Sequence, residues 1–152
     1  MFFQNLRAKI GARLSGDREA GFTLIELLVV MLILGILAAI AIPAFFNQRD
    51  KGTDAQAKAA VRTAQTAIET WSTENAGEYK NATKGILEGI EPTLSEAKLA
   101  EPASAEKTYT VSIESDTGTS FSIARTAEGV VFDCTEKVNG KGGCPIGGDW
   151  SK

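Results

Sequence analysis

The residues able to do chemistry are few in this chain. Among 152 residues there is no histidine, which removes the commonest general base and the commonest metal ligand. Two cysteines, Cys134 and Cys144, lie near the C-terminus. Two thiols are too few for a structural zinc site, which takes four Cys or His ligands, but in an oxidising compartment they would form a disulfide. Glu26 is the anomalous group: it is the only charge between Phe22 and Phe46. A carboxylate carried below the headgroups of a bilayer is costly and is usually paired. At the edge of the apolar run it is merely interfacial, and both readings fit its position. No serine–lysine or paired-carboxylate constellation points to an enzyme, and the predicted metal and cofactor complement is none. Asp133, Glu136 and Asp149 lack the regular spacing of a calcium loop.

The element that positions Glu26 is the run Leu27–Phe46, twenty residues without a charge. About 20 apolar residues cross a bilayer as a helix. A core helix would not stay apolar on every face for so long, and the apolar region of a secretory signal peptide is shorter and ends at small residues. Arg7, Lys9, Arg13 and Arg18 precede the run, which places the N-terminus in the cytoplasm by the positive-inside rule. The head then lies outside, where a disulfide is permitted. The net charge of −3 divides unevenly: beyond residue 21 the chain holds 12 basic and 17 acidic residues. That acidic balance argues against a nucleic-acid-binding surface.

The stretch Gly21-Phe22-Thr23-Leu24-Ile25-Glu26-Leu27-Leu28-Val29-Val30 resembles the N-terminal motif of type IV pilins and type II secretion pseudopilins. The resemblance implies an α+β pilin fold, in which a long N-terminal helix, membrane-spanning in its first half, packs on an antiparallel sheet of about three strands. It implies cleavage between Gly21 and Phe22 by a prepilin peptidase, N-methylation of Phe22, and pairing of Glu26 with the Phe22 amine of a neighbouring subunit. Glycine at position 21 suits a scissile bond, because the missing Cβ lets a protease backbone approach. Gly35 and Pro43 stand where the family has helix-weakening residues, and the segment between them is expected to lose helicity in a filament; a simple bend at Pro43 is the plainer alternative. A C-terminal loop closed by Cys134 and Cys144 is likewise a pilin feature. The implied partners are sister subunits, the peptidase, an assembly ATPase, a membrane platform protein and the cytoplasmic membrane. The implied function is a filament subunit of a type IV pilus. The alternatives are a pseudopilin of a secretion or DNA-uptake machine and a signal-anchored binding protein that does not polymerise.

The expected organisation is a leader over 1–21, an assembly helix over 22–52 and an exposed head over 53–152. The leader is longer than in many members of the family. Its Phe3, Leu6, Ile10 and Leu14 suit an amphipathic surface helix, and a disordered basic tail is the alternative. In the head, Ala57, Ala60, Val61, Ala64, Ala67, Ile68 and Trp71 recur at three- and four-residue spacing, predicting a helix over 53–75 that continues the apolar one. Asn75 and Gly77 are stop residues. Residues 76–107 are predicted to be loop, with one or two helical turns starting at Thr93 and running through Leu99; Asn81-Ala82-Thr83 within it matches a glycosylation sequon and is taken as bare loop. Tyr109-Val111-Ile113, Phe121-Ile123 and Val130-Val131-Phe132 predict three strands separated by turns at Asp116–Gly118 and Ala127–Gly129.

Overall fold

The computed structural model describes residues 22–135 and 142–151. Helix α1 spans Leu24–Glu74 with Pro43 inside it. A short helix α2 (Lys84–Ile90) and a 3-10 turn (Pro92–Glu96) follow. Four strands complete the fold: β1 (Ala103–Ser104), β2 (Tyr109–Glu114), β3 (Ser120–Arg125) and β4 (Val130–Thr135). Each strand pairs antiparallel with the next, giving the sheet order β1-β2-β3-β4. The leader predicted over 1–21, including Gly21, lies outside the described residues. The chain divides into two compact units after Ile42.

In the N-terminal unit the described residues of α1 are exposed on every face. Leu24 is 81% and Ile40 70% accessible. No residue of its most apolar stretch is buried, and the helix is long and apolar enough to cross a membrane.

The C-terminal unit holds the core. Along α1, Asp54, Ala57, Val61, Ala64, Ala67, Ile68 and Ser72 are buried, a stripe at three- and four-residue spacing. Opposite it stand Tyr109, Val111 and Ile113 of β2 and Phe121 and Ile123 of β3, all buried. Their alternation follows from the two-residue period of a strand with one covered face. Ala60 and Trp71, predicted on the same stripe, sit at its margins and are half-buried. The helix stops as its sequence predicts. The Asn75 side-chain amide donates to the Trp71 carbonyl at 2.8 Å, and the Gly77 N–H donates to the Ser72 carbonyl at 2.8 Å. Ala76 and Gly77 take positive φ, a left-handed exit that glycine makes without strain.

Three features depart from the sequence reading. The region 76–107 is not wholly loop. Thr83 caps α2 by accepting the Ile86 N–H at 3.4 Å, and Leu87 is buried beneath it. The sequon threonine is therefore a helix cap; Gly85 and Gly89 hid the helix by lowering its propensity. The turn predicted at Thr93 exists as the 3-10 turn over Pro92–Glu96, burying Leu94 but ending before Leu99. The sheet gains a fourth, two-residue strand, with Ala103 opposite Thr110 and Ser104 opposite Tyr109; a strand this short leaves no alternation to read. Within β4, Val130 and Val131 are exposed and only Phe132 and Cys134 turn inward. An edge strand covers less of the helix than the strands inside the sheet.

Candidate functional site

At the start of α1, Thr23 and Glu26 form a reciprocal cap. The Glu26 carboxylate accepts the Thr23 N–H at 2.8 Å and the Thr23 hydroxyl at 2.7 Å, both on Oε2. The Glu26 N–H in turn donates to Thr23 Oγ1 at 3.3 Å. A threonine followed three residues later by glutamate is a capping box, which satisfies two of the free amides of a helix N-terminus. The sequence carries this signal, and reading Glu26 only as a membrane charge overlooks it. Both bonds fall on one oxygen. Oε1 has no partner among the described residues. Phe22, next to the cap, is 89% accessible. Gly35 has nothing within 4 Å of where a Cβ would stand, so no contact among the described residues requires glycine there. Pro43 sits within helix that continues on both sides of it.

The second constellation is the C-terminal disulfide loop. Cys134 and Cys144 are bonded, with Cα atoms 5.8 Å apart, as the sequence predicts. Beyond the bridge, Trp150 fills the space under Phe121 and Phe132, edge-on to both rings at 5.9 and 5.0 Å. Its indole N–H donates to the Asp133 carbonyl at 2.9 Å. The tail, apolar-poor by composition, thus contributes a buried core residue. Asp54 is fully buried and accepts the Gly143 N–H at 2.7 Å and the Thr117 hydroxyl at 2.5 Å. One turn on, Lys58 donates to the Gly143 carbonyl at 2.6 Å and lies over the Phe121 and Trp150 rings at 5.3 and 5.8 Å. The stripe pattern of the sequence places Asp54 in register with Ala57 and Val61, and that was the available sign of its burial.

A third group, also missed, centres on Glu69. It accepts hydrogen bonds from the Tyr79 hydroxyl at 2.8 Å, the Tyr109 hydroxyl at 2.9 Å and the Arg125 guanidinium at 3.0 Å. Burial first, and the Glu69 bond next, push the Tyr109 phenol well above its ordinary range; Tyr79 shifts the same way for the same reasons. Among the described residues no three His, Cys, Asp or Glu side chains gather as a metal site. Glu136, named above with Asp133 and Asp149, lies outside the described residues.

A helix long and apolar enough to cross a membrane, with a capped glutamate at its start, and a small head of helix on antiparallel sheet are the features of a pilin-like α+β protein. Comparison with known proteins agrees. Residues 16–42 match the family model described as Prokaryotic N-terminal methylation motif. The chain is 31% identical over 72 residues to Type II secretion system core protein G of Pectobacterium carotovorum subsp. carotovorum, covering 47% of this chain and 46% of that one. It is 44% identical over 57 residues to Type IV major pilin protein PilA of Myxococcus xanthus, covering 38% and 26%. It is 34% identical over 80 residues to Type IV major alpha-pilin of Moraxella bovis, covering 53% and 42%. The matches thus span about half or less of each relative. The N-terminal part of the chain thus carries the prokaryotic N-terminal methylation motif and is similar there to type IV pilins and type II secretion core proteins G.

Proposed function

We propose that this chain is the structural subunit of a type IV pilus, cut between Gly21 and Phe22 by a prepilin peptidase, N-methylated on Phe22 and polymerised with its sister subunits. The observation that carries the reading is the start of α1: a single carboxylate with one open oxygen, on a helix whose surroundings are apolar and exposed. Cleavage creates an ammonium at Phe22, and an incoming subunit's ammonium is the counter-ion Glu26 lacks. Before cleavage that nitrogen is an amide and carries no charge. The helix leaves lipid for a bundle of sister helices, so its apolar burial is largely conserved while the ion pair sets register. The precursor is a single-pass protein of the cytoplasmic membrane, leader inside and head outside. An assembly ATPase and a platform protein supply the work of extraction. Gly35 and Pro43 mark the segment that gives up helical bonds as subunits pack.

The pseudopilin reading is the second. It is favoured by the similarity to core protein G, which recurs in Escherichia coli and Pseudomonas aeruginosa relatives at 29% and 33% identity. Purification of surface fibres followed by intact-mass analysis tests both. Long fibres built from a chain that begins at N-methylated Phe22 are expected. A processed chain confined to the cell envelope would favour the pseudopilin, and an assembled chain that keeps its first 21 residues would overturn both.

A further inference from the structure

Asp54 and Lys58 stand one turn apart on α1, the spacing at which an acid and a base ordinarily pair with each other. Here both reach the same residue of the tail instead. Asp54 takes the N–H of Gly143 and Lys58 takes its carbonyl, so an i,i+4 pair holds the backbone of the residue before Cys144 from both sides. The fit is close. A Cβ at Gly142 would collide with the Asp54 carboxylate, and one at Gly143 would stand 3.1 Å from Asp54 Cβ. Gly142 also has φ +139, which glycine tolerates. The rest of the holder comes from outside the tail: Thr117, in the turn between β2 and β3, donates to Asp54, and Phe121 of β3 lies beneath the Lys58 ammonium. None of these contacts involves either sulfur. Cys134, the other half of the bridge, sits on β4, paired with Phe121 across the sheet.

We propose that Asp54 and Lys58 are positioning residues for oxidation: they seat Gly142–Gly143 on the helix and so present the Cys144 thiol to Cys134. The co-reactant is a dithiol–disulfide oxidant. One cysteine thiolate attacks the oxidant's disulfide to give a mixed disulfide, and the second cysteine displaces the oxidant as its dithiol. The two thiols lose two protons, and two electrons pass to the oxidant. The clasp acts in the second step by raising the local concentration of one sulfur at the other. This role is independent of whether the subunit ends in a pilus or a pseudopilus.

The test uses the full chain in detergent. Equilibrated in a glutathione redox buffer and read by thiol alkylation, Asp54→Ala and Lys58→Met are expected to lower the equilibrium constant for bridge formation at least about tenfold, as loss of a charge-assisted hydrogen bond implies. Glu69→Gln removes a tie of similar kind elsewhere in the head and is expected to shift it by less than about twofold. Equal shifts in Glu69→Gln and Asp54→Ala would mean that only general stability was read, and the proposal fails. The second measurement needs no variant of the clasp. In Cys134→Ser/Cys144→Ser, the Gly143 amide is expected to remain protected from hydrogen exchange. Exchange at free-loop rates, whether or not the rest of the head stays folded, would show that the bridge makes the clasp, and would overturn the proposal.

Discussion

Between Phe22 and Ile42 every side chain of α1 is exposed, whereas between Asp54 and Ser72 seven are buried at helical spacing. The first stretch is apolar on all faces; the second is apolar on one and carries Gln56, Arg62, Gln65 and Glu69 elsewhere. A helix that folds against its own sheet needs a single stripe, and the head supplies the covering partner. A helix that must be covered on all sides needs lipid or the helices of other molecules, and none of the described residues covers it. One element therefore carries two specifications, the first written for an environment and the second for an intramolecular core.

This contrast can be broken most sharply at Glu26. Glu26→Ala is expected to leave the chain in the membrane and the head folded, but to reduce the sheared-fibre yield at least about tenfold, the scale of a lost buried-type ion pair. Normal fibre yield would remove the charge pairing from the proposal. In the head, Phe121→Ala should cost about 3–5 kcal/mol of unfolding free energy by urea titration of the detergent-solubilised chain, because a buried ring leaves a cavity. The matched change in the exposed half, Ile36→Ala, should move the same transition by less than about 0.5 kcal/mol; a comparable loss at both sites would mean the two stretches are not separately specified. Reducing the disulfide should cost about 2–3 kcal/mol in the same titration, since it closes a short loop of sequence separation 10.

A smaller effect is expected from pH. The folded state holds the Tyr109 phenol above its unfolded value, so the proton is bound more tightly in the folded chain. That contribution is fully present below about pH 10, the ordinary tyrosine pKa, and is lost as pH rises toward the folded value. Urea midpoints should therefore fall as pH rises past about 10, and less steeply in Tyr109→Phe. An identical fall in that variant would assign the alkaline transition to other groups.

Much of the architecture was legible. The apolar run announced α1, the alanine–valine–isoleucine stripe announced its buried face, and the alternation around Val111 and Ile123 announced the sheet. The GFTLIE stretch carried the likeness to the N-terminal methylation motif because glycine, phenylalanine and glutamate stand at fixed offsets. What stayed hidden depends on tertiary contact. The helix over Lys84–Ile90 has two glycines among seven residues and exists because Leu87 finds the core. Trp150 lies in a glycine-rich tail without periodicity, and only the packed rings around it reveal its place. Glu69 reads as a solvent-facing residue of an amphipathic helix until Tyr79, Tyr109 and Arg125, distant along the chain, are brought to it. Its role is a property of the fold and has no local pattern.

That convergence on Glu69 bears on how such heads diversify. Tyr79 opens the excursion that leaves α1, and Tyr109 ends it at the first long strand, yet both hydroxyls rest on the same carboxylate. The segment between them departs from and returns to one post. Lengthening it adds little closure entropy, since that term grows only with the logarithm of length. Replacement cassettes that retain apolar plugs at the places of Leu87, Leu94 and Leu99 should therefore graft here while the long strands stay in register, which makes this stretch the natural place for surface variation between otherwise superimposable heads.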